Sequence, residues 1–286
     1  MPNVMIINQQ QTFPPVPESN LVIWLKSTEG ITLSPVSLPS GSGIFIDQWA
    51  DQSAQSNDGV AAPIPNAPTF QAINPNLNNK PSVDFTASTP PAPTPPVLPG
   101  NTKMATSNNG FSGNNGLPNG FDLFIALSRP AYVSSFNIIF QYSNDTSWSQ
   151  GFGILKYSGE IRGFINDWNT LGSQDARITE DDLPENTGTI LHFRYDPTLA
   201  SDNILLETYA PITGIRPTVK ISGTQSYTAA INTSGLLETN IANADSNFAD
   251  FSGEFGDILF YNAPQNTIDT AQVLNYLRTK FNIPIV

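Results

Sequence analysis

Between Leu21 and Tyr261 the chain repeats one pattern: runs of five to eight residues rich in Phe, Tyr, Ile, Leu and Val, broken by Gly, Asn, Asp or Pro. Runs of that length are short for helices and fit strands, and the breakers are the residues that turns require. Leu21–Leu25 (LVIWL) is continuously apolar, as expected of a strand covered on both faces. The same reading gives strands at 121–127, 136–142, 151–157, 161–165, 189–195, 204–209 and 254–261. So many short strands in 286 residues predict an all-β sandwich or barrel, in a chain long enough to bury a large core.

One helix is expected, at about 269–281. Val273, Leu274, Leu277 and Phe281 recur at helical spacing and read as core packing. Asp269 can cap this helix, with Gln272 three residues on, and Arg278 and Lys280 suit the negative end of its dipole. Residues 1–20 carry Pro14, Pro15 and Pro17 and read as an extended arm. Its apolar patch from Val4 to Ile7 suits a sheet edge or a neighbouring subunit. Residues 61–120 read mostly as loop. The proline-rich stretch 88–99 cannot be a central strand, so 86–100 is expected as a surface excursion. The expected division is an arm, 1–20, and one domain, 21–286.

Charge narrows the partners. Acidic residues outnumber basic ones 24 to 12, and Lys and Arg are not clustered, which argues against nucleic acid and anionic membrane surfaces. The chain has no cysteine, which excludes disulfides, thiol nucleophiles and Cys-ligated zinc. Only 13% of residues are charged, so the polar surface comes from Asn, Gln, Ser and Thr, which suits protein packing or neutral sugars. No run is long enough to span a membrane. The first twenty residues have no basic region followed by a long apolar run, so synthesis without a secretion signal is expected.

Three blocks resemble a known superfamily. The first is Leu21-Val22-Ile23-Trp24-Leu25 with Trp49, Asp51, Ser53, Asn57 and Asp58; the second is Lys80-Pro81-Ser82-Val83-Asp84-Phe85. The third is Gly253, Gly256, Asp257 and Tyr261, followed by Tyr276-Leu277 and Lys280-Phe281. Together they resemble the laminin-G-like, concanavalin A-like domains of bacterial surface and phage proteins. The resemblance covers about 21–286 and departs from the usual pattern at Gln52, Ala54 and Leu259. It implies a jelly-roll β-sandwich of two antiparallel sheets closed by one C-terminal α-helix, with Trp24 and Trp49 in the core.

Some members of this fold are glycosidases. They need two carboxylates, about 5–5.5 Å apart for retention or about 6.5–9.5 Å for inversion. Glu180-Asp181-Asp182-Leu183-Pro184-Glu185 superficially matches the acidic strand of the retaining enzymes, but Pro184 and the lack of alternation make it a solvated acidic turn. His192 is the one histidine, sits in a strand-like alternation and reads as a hydrogen-bonded structural residue. No Gly-x-Ser-x-Gly elbow accompanies it.

Two ligand chemistries stay open. Asn243, Asp245, Asn247 and Asp250 lie close enough in sequence to offer calcium its oxygen ligands, and Asp47, Asp51 and Asp58 form a second group. Asn and Asp are equally the residues of ordinary turns. Trp148 and Trp168 sit in polar, loop-like surroundings and are the first candidates to stack on a sugar, with Asp145, Asn166 and Asp167 as hydrogen-bond partners. The bland alternative is that each tryptophan caps the core.

The leading expectation is a non-enzymatic virion protein, a phage capsid-decoration or tail-associated component. It would dwell on the virion surface and bind other virion proteins or its own copies. The alternative is an extracellular carbohydrate-binding adhesion module.

Overall fold

The computed structural model describes residues 13–37, 44–63, 67–85, 104–106, 120–130, 136–143, 150–166, 174–210, 219–227, 230–231, 238–242 and 251–283. The strands among them, in chain order, are β1 Leu21–Leu25, β2 Ile31–Ser37, β3 Ile44–Trp49, β4 Gly59–Ala61, β5 Thr69–Asn74, β6 Lys80–Asp84, β7 Met104–Thr106, β8 Phe121–Ser128 and β9 Phe136–Ser143. They continue with β10 Phe152–Tyr157, β11 Glu160–Ile165, β12 Asp175–Thr179, β13 Thr189–Tyr195, β14 Ile204–Ala210, β15 Val219–Gln225, β16 Glu238–Ile241 and β17 Glu254–Tyr261. One helix, α1 Thr267–Phe281, follows.

Among the described residues every strand-to-strand pairing is antiparallel; one isolated bridge, Arg129 with Glu185, is parallel. The order β1, β17, β8, β13, β14, β15 makes one layer of the sandwich. The order β2, β3, β4, β7, β16, β9, β10, β11, β12 makes the other. The β5–β6 hairpin bridges them, pairing with β3 and with β17. The fold is the expected β-sandwich with a terminal helix.

Alternation explains the core. Phe121, Leu123, Ile125 and Leu127 of β8 point between the layers, while Phe124 and Ala126 point the other way into a second apolar cluster under α1. Aromatic rings dominate the inner core. Phe121 lies 4.1 Å from Phe152, 5.0 Å from Phe193 and 5.6 Å from Phe260 between ring centroids. Such pairs add about 0.5–1.5 kcal/mol each beyond burial. At the far edge the layers come together: a Cβ at Gly223 of β15 would stand 1.9 Å from the Arg177 carbonyl oxygen of β12, so only glycine fits.

The outer edge of β1 is closed by the segment from Asp51 to Asn57, through one antiparallel bridge between Leu25 and Asp51 and a set of side-chain bonds. Trp24 N–H donates to Asp51 Oδ1 at 2.7 Å, and Trp24 O accepts from Gln52 N–H at 2.8 Å. Val22 O accepts from Ser53 Oγ at 3.2 Å and Asn57 Nδ2 at 2.6 Å. Asp51 is itself held by Ser53 N–H, Ser53 Oγ and Asn57 N–H at 2.9, 2.6 and 2.9 Å. The Asp51, Ser53 and Asn57 signature is therefore a device for satisfying an exposed strand edge.

The helix begins earlier than expected. Asn266, not Asp269, is its cap, accepting from the N–H groups of Ile268 and Asp269 at 2.9 Å each. Its buried face is Val273, Tyr276, Leu277, Lys280 and Phe281, with Leu274 half-buried. Lys280 serves the sheet rather than the helix dipole: its ammonium reaches Asp257 of β17. Within 61–120 the described residues include the short strands β5, β6 and β7, β6 falling on the Lys80–Phe85 block. Asn78 and Asn79, at φ 56° and 55°, turn β5 into β6, and such left-handed positions suit Asn.

Residues 1–12, with the Val4 to Ile7 patch, and the excursion 86–100 lie outside the described residues. Residues 13–20 run without helix, as their prolines require. Val16 is buried, Phe13 meets Tyr276 edge-on at 6.0 Å, and Pro17 O accepts from the Tyr261 hydroxyl at 3.0 Å.

Candidate functional site

A surface pocket of about 610 Å³ opens beside β1. Three stretches of chain build it: Glu18 to Trp24, Gln52 to Gln55, and Asn262 just beyond β17. Asn20 enters β1 with φ 63°, and its carbonyl accepts from Asn262 N–H at 2.9 Å, extending the β1–β17 ladder to the pocket rim. Gln52 and Ser53 are fixed by the edge-closing bonds described above. The pocket is a consequence of how β1 is capped.

Trp24 forms its apolar wall. Within the strand it points opposite Ile23 and Leu25, toward α1, yet the helix covers only part of it. Tyr276 meets the indole edge-on at 5.8 Å, and the Lys26 ammonium lies 4.0 Å from the ring centroid. Trp24 is thus half-buried and lines the pocket, whereas Trp49 is fully buried and donates its indole N–H to Lys26 O at 2.8 Å. The expectation of two core tryptophans is corrected for Trp24.

Among the described residues the polar lining is Asn20, Gln52, Ser53, Gln55 and Asn262, with Glu18 as the lone ionisable side chain. Amides and hydroxyls both donate and accept, so this wall matches a neutral ligand with several hydroxyl groups. One carboxylate among the lining residues does not make the pair that glycoside hydrolysis uses.

Of the residues expected to bind sugar, Asn166 is described. It ends β11 at φ 62°, and its amide donates to the Tyr227 hydroxyl at 2.8 Å and to Ala230 O at 3.0 Å. It pins the chain that follows β15. Trp148, Asp145, Trp168 and Asp167 lie outside the described residues. Register does place Tyr142 and Ile165 on either side of Phe152, so the chain leaves β9 and β11 at one end of the layer.

The calcium candidates Asn243, Asp245, Asn247 and Asp250 also lie outside the described residues. Asp51 and Asp58 of the second group are occupied by hydrogen-bond donors: Asp58 accepts from Asp51 N–H at 2.8 Å and from Gln48 Nε2 at 2.7 Å. Among the described residues no group of three or more His, Asp or Glu side chains could hold a metal ion. The acidic run at 180–185 is a short helical turn; Asp182 binds Thr179, and Glu185 pairs with Arg129 at 3.4 Å.

Likeness to known proteins is at the level of fold. No protein-family model and no characterised protein matches the sequence. An arabinofuranosidase complexed with arabinofuranosyl-α-1,2-xylobiose superposes with TM-score 0.54 at 12% identity, over 94% of this chain and 61% of that one. The binding domain of botulinum neurotoxin DC in complex with SialylT gives 0.52 at 10% identity, over 91% and 52%. The receptor-binding domain of botulinum neurotoxin type G gives 0.50 at 11% identity, over 93% and 51%. This chain therefore spans between about half and three-fifths of those chains. All three share an all-β, lectin-like fold with it.

Proposed function

We propose that the protein is a recognition module for neutral glycans and acts without catalysis, with the pocket beside β1 as its binding site. The observation that carries this reading is the lining itself: an indole wall at Trp24 faced by amides from Asn20, Gln52, Gln55 and Asn262. Sugars present apolar faces and hydroxyl edges, and this wall offers both complements. The structural relatives support the reading to the extent that two are named as binding domains and one was captured with an oligosaccharide. The same lining argues against hydrolysis, since among the described residues Glu18 has no carboxylate partner in it.

A glycan array with the full chain, alongside Trp24→Ala and Gln55→Ala, tests the assignment. Neutral sugars should bind to the wild type, and each substitution should weaken them at least tenfold without changing the fold. Trp148→Ala and Trp168→Ala are the counter-test. If they abolish binding while Trp24→Ala does not, the site lies at the ends of β9 and β11 instead. No binding by the wild type ends the glycan reading.

A further inference from the structure

Beneath α1 the first layer buries charged groups that the pocket does not touch. His192 of β13, the one histidine of the chain, is 1% exposed. Its Nε2 lies 2.6 Å from Asp122 Oδ1 on β8, and its Nδ1 lies 3.2 Å from Glu207 Oε2 on β14. Ionised carboxylates can only accept, so this geometry suits an imidazolium, donating from both nitrogens, better than either neutral tautomer. Phe124 closes one face of the ring, stacked at 4.2 Å and 5°. The Tyr209 hydroxyl donates to the same Glu207 oxygen at 2.6 Å.

The second oxygen of Asp122 accepts the backbone N–H of Gln265 at 2.5 Å. Gln265 lies in the connection from β17 to α1, three residues after Asn262, which walls the pocket. Asp122 therefore has one oxygen on the imidazolium and the other on the strap that carries a pocket residue. The surrounding ionisable groups are Asp122 on β8, Glu207 and Tyr209 on β14, Tyr261 on β17 and Asp269 on α1. Arg194, further along β13, is paired with Asp196 at 3.0 Å, and Lys220 of β15 is the register partner of Tyr209.

We propose that His192 is a positioning residue: its proton holds Asp122 under Gln265, and losing that proton as pH rises frees the 262–265 strap and weakens capture in the pocket. The link to capture rests on the pocket being the glycan site; the link to the strap does not. Burial alone pushes the imidazole toward neutrality. The hydrogen bonds that the ring donates to Asp122 and Glu207, helped by their charges, outweigh burial and hold His192 above its ordinary value of 6.5.

With one histidine in the chain, ring ¹⁵N resonances report its protonation without ambiguity. The imidazolium should persist above pH 6.5. Hydrogen-exchange protection of the Gln265 amide, corrected for intrinsic pH dependence, should fall at least tenfold as the ring titrates. Glu207→Gln keeps the side-chain shape and removes one charge, so it should move both transitions to lower pH together. A ring already neutral at pH 6, or Gln265 protection indifferent to the titration, overturns the proposal; if Glu207→Gln does not fold, the wild-type titration alone decides. Xylobiose binding across the same pH range reads the second link. A fall that tracks the ring supports it, and binding that stays level refutes it. If xylobiose binds at no pH, the pocket reading fails for that sugar while the exchange data still judge His192.

Discussion

The ammonium of Lys280 lies 2.9 and 2.8 Å from the two carboxylate oxygens of Asp257, and neither side chain is more than 1% exposed. The same carboxylate accepts from Ser27 N–H at 2.9 Å and from the Tyr276 hydroxyl at 2.6 Å. One buried ion pair thus joins β17, the end of β1 and α1. Removing one partner strands the other charge, so Asp257→Ala should cost about 3–5 kcal/mol in urea unfolding. Replacing both partners, with Asp257→Leu and Lys280→Met, should cost clearly less. Equal losses would mean that packing, not charge, holds the helix.

Stability should fall on the alkaline side through His192. Its folded value is raised, so its contribution is full below about 6.5 and fades as pH climbs through the folded value. Melting temperature against pH should therefore decline above neutrality in the wild type, and His192→Gln should flatten that limb. A wild-type profile that rises there would contradict the imidazolium.

Asp51 accepts four hydrogen bonds, one from the β1 backbone at Trp24 and three that hold the Ser53–Asn57 loop against that edge. Asp51→Ala should lose about 2–4 kcal/mol, from several charge-assisted bonds each worth roughly 1.5–3 kcal/mol less partial replacement by water. Size-exclusion chromatography should also show a new tendency to self-associate, because the edge is left open.

Gln141 of β9 and Asn240 of β16 are cross-strand partners, both fully buried, and none of their four amide atoms has a hydrogen-bond partner. Unmet buried polar atoms cost about 1–3 kcal/mol apiece. Gln141→Leu combined with Asn240→Leu should raise stability by about 1–3 kcal/mol in urea. A loss instead would point to ordered water held between the amides.

Most of the strand inventory was legible because short apolar runs bounded by turn residues survive where a strand is covered on both faces, as β13 and β17 are. β13 and β17 have the bounds expected from the sequence alone. The stretch holding β5, β6 and β7 was harder to read. β5 and β6 are short and lie at the junction of the layers, and β7 is only three residues long, so local preference says little. The helix cap was misread because Asp269 and Gln272 mimic a capping pair, while Asn266 does the work from one turn earlier. Trp24 looked like core because its run is apolar throughout; only the incomplete cover from α1 leaves it facing a pocket. The pocket itself draws on Glu18, Gln55 and Asn262, residues too far apart in the chain for any motif to announce. His192 is buried and hydrogen-bonded, but its two carboxylates come from strands that meet it only in the folded sheet.

The closure of β1 has a bearing on crowding. For the glycan role proposed above, weak contacts to repeated sugars add up when many copies sit close together. Dense display is hazardous for sheet proteins with open margins, which zip into fibres. Asp51, Ser53 and Asn57 let this domain be packed shoulder to shoulder without its β1 margin recruiting a neighbour, and they do so with the same loop that presents Gln52 and Gln55 to solvent.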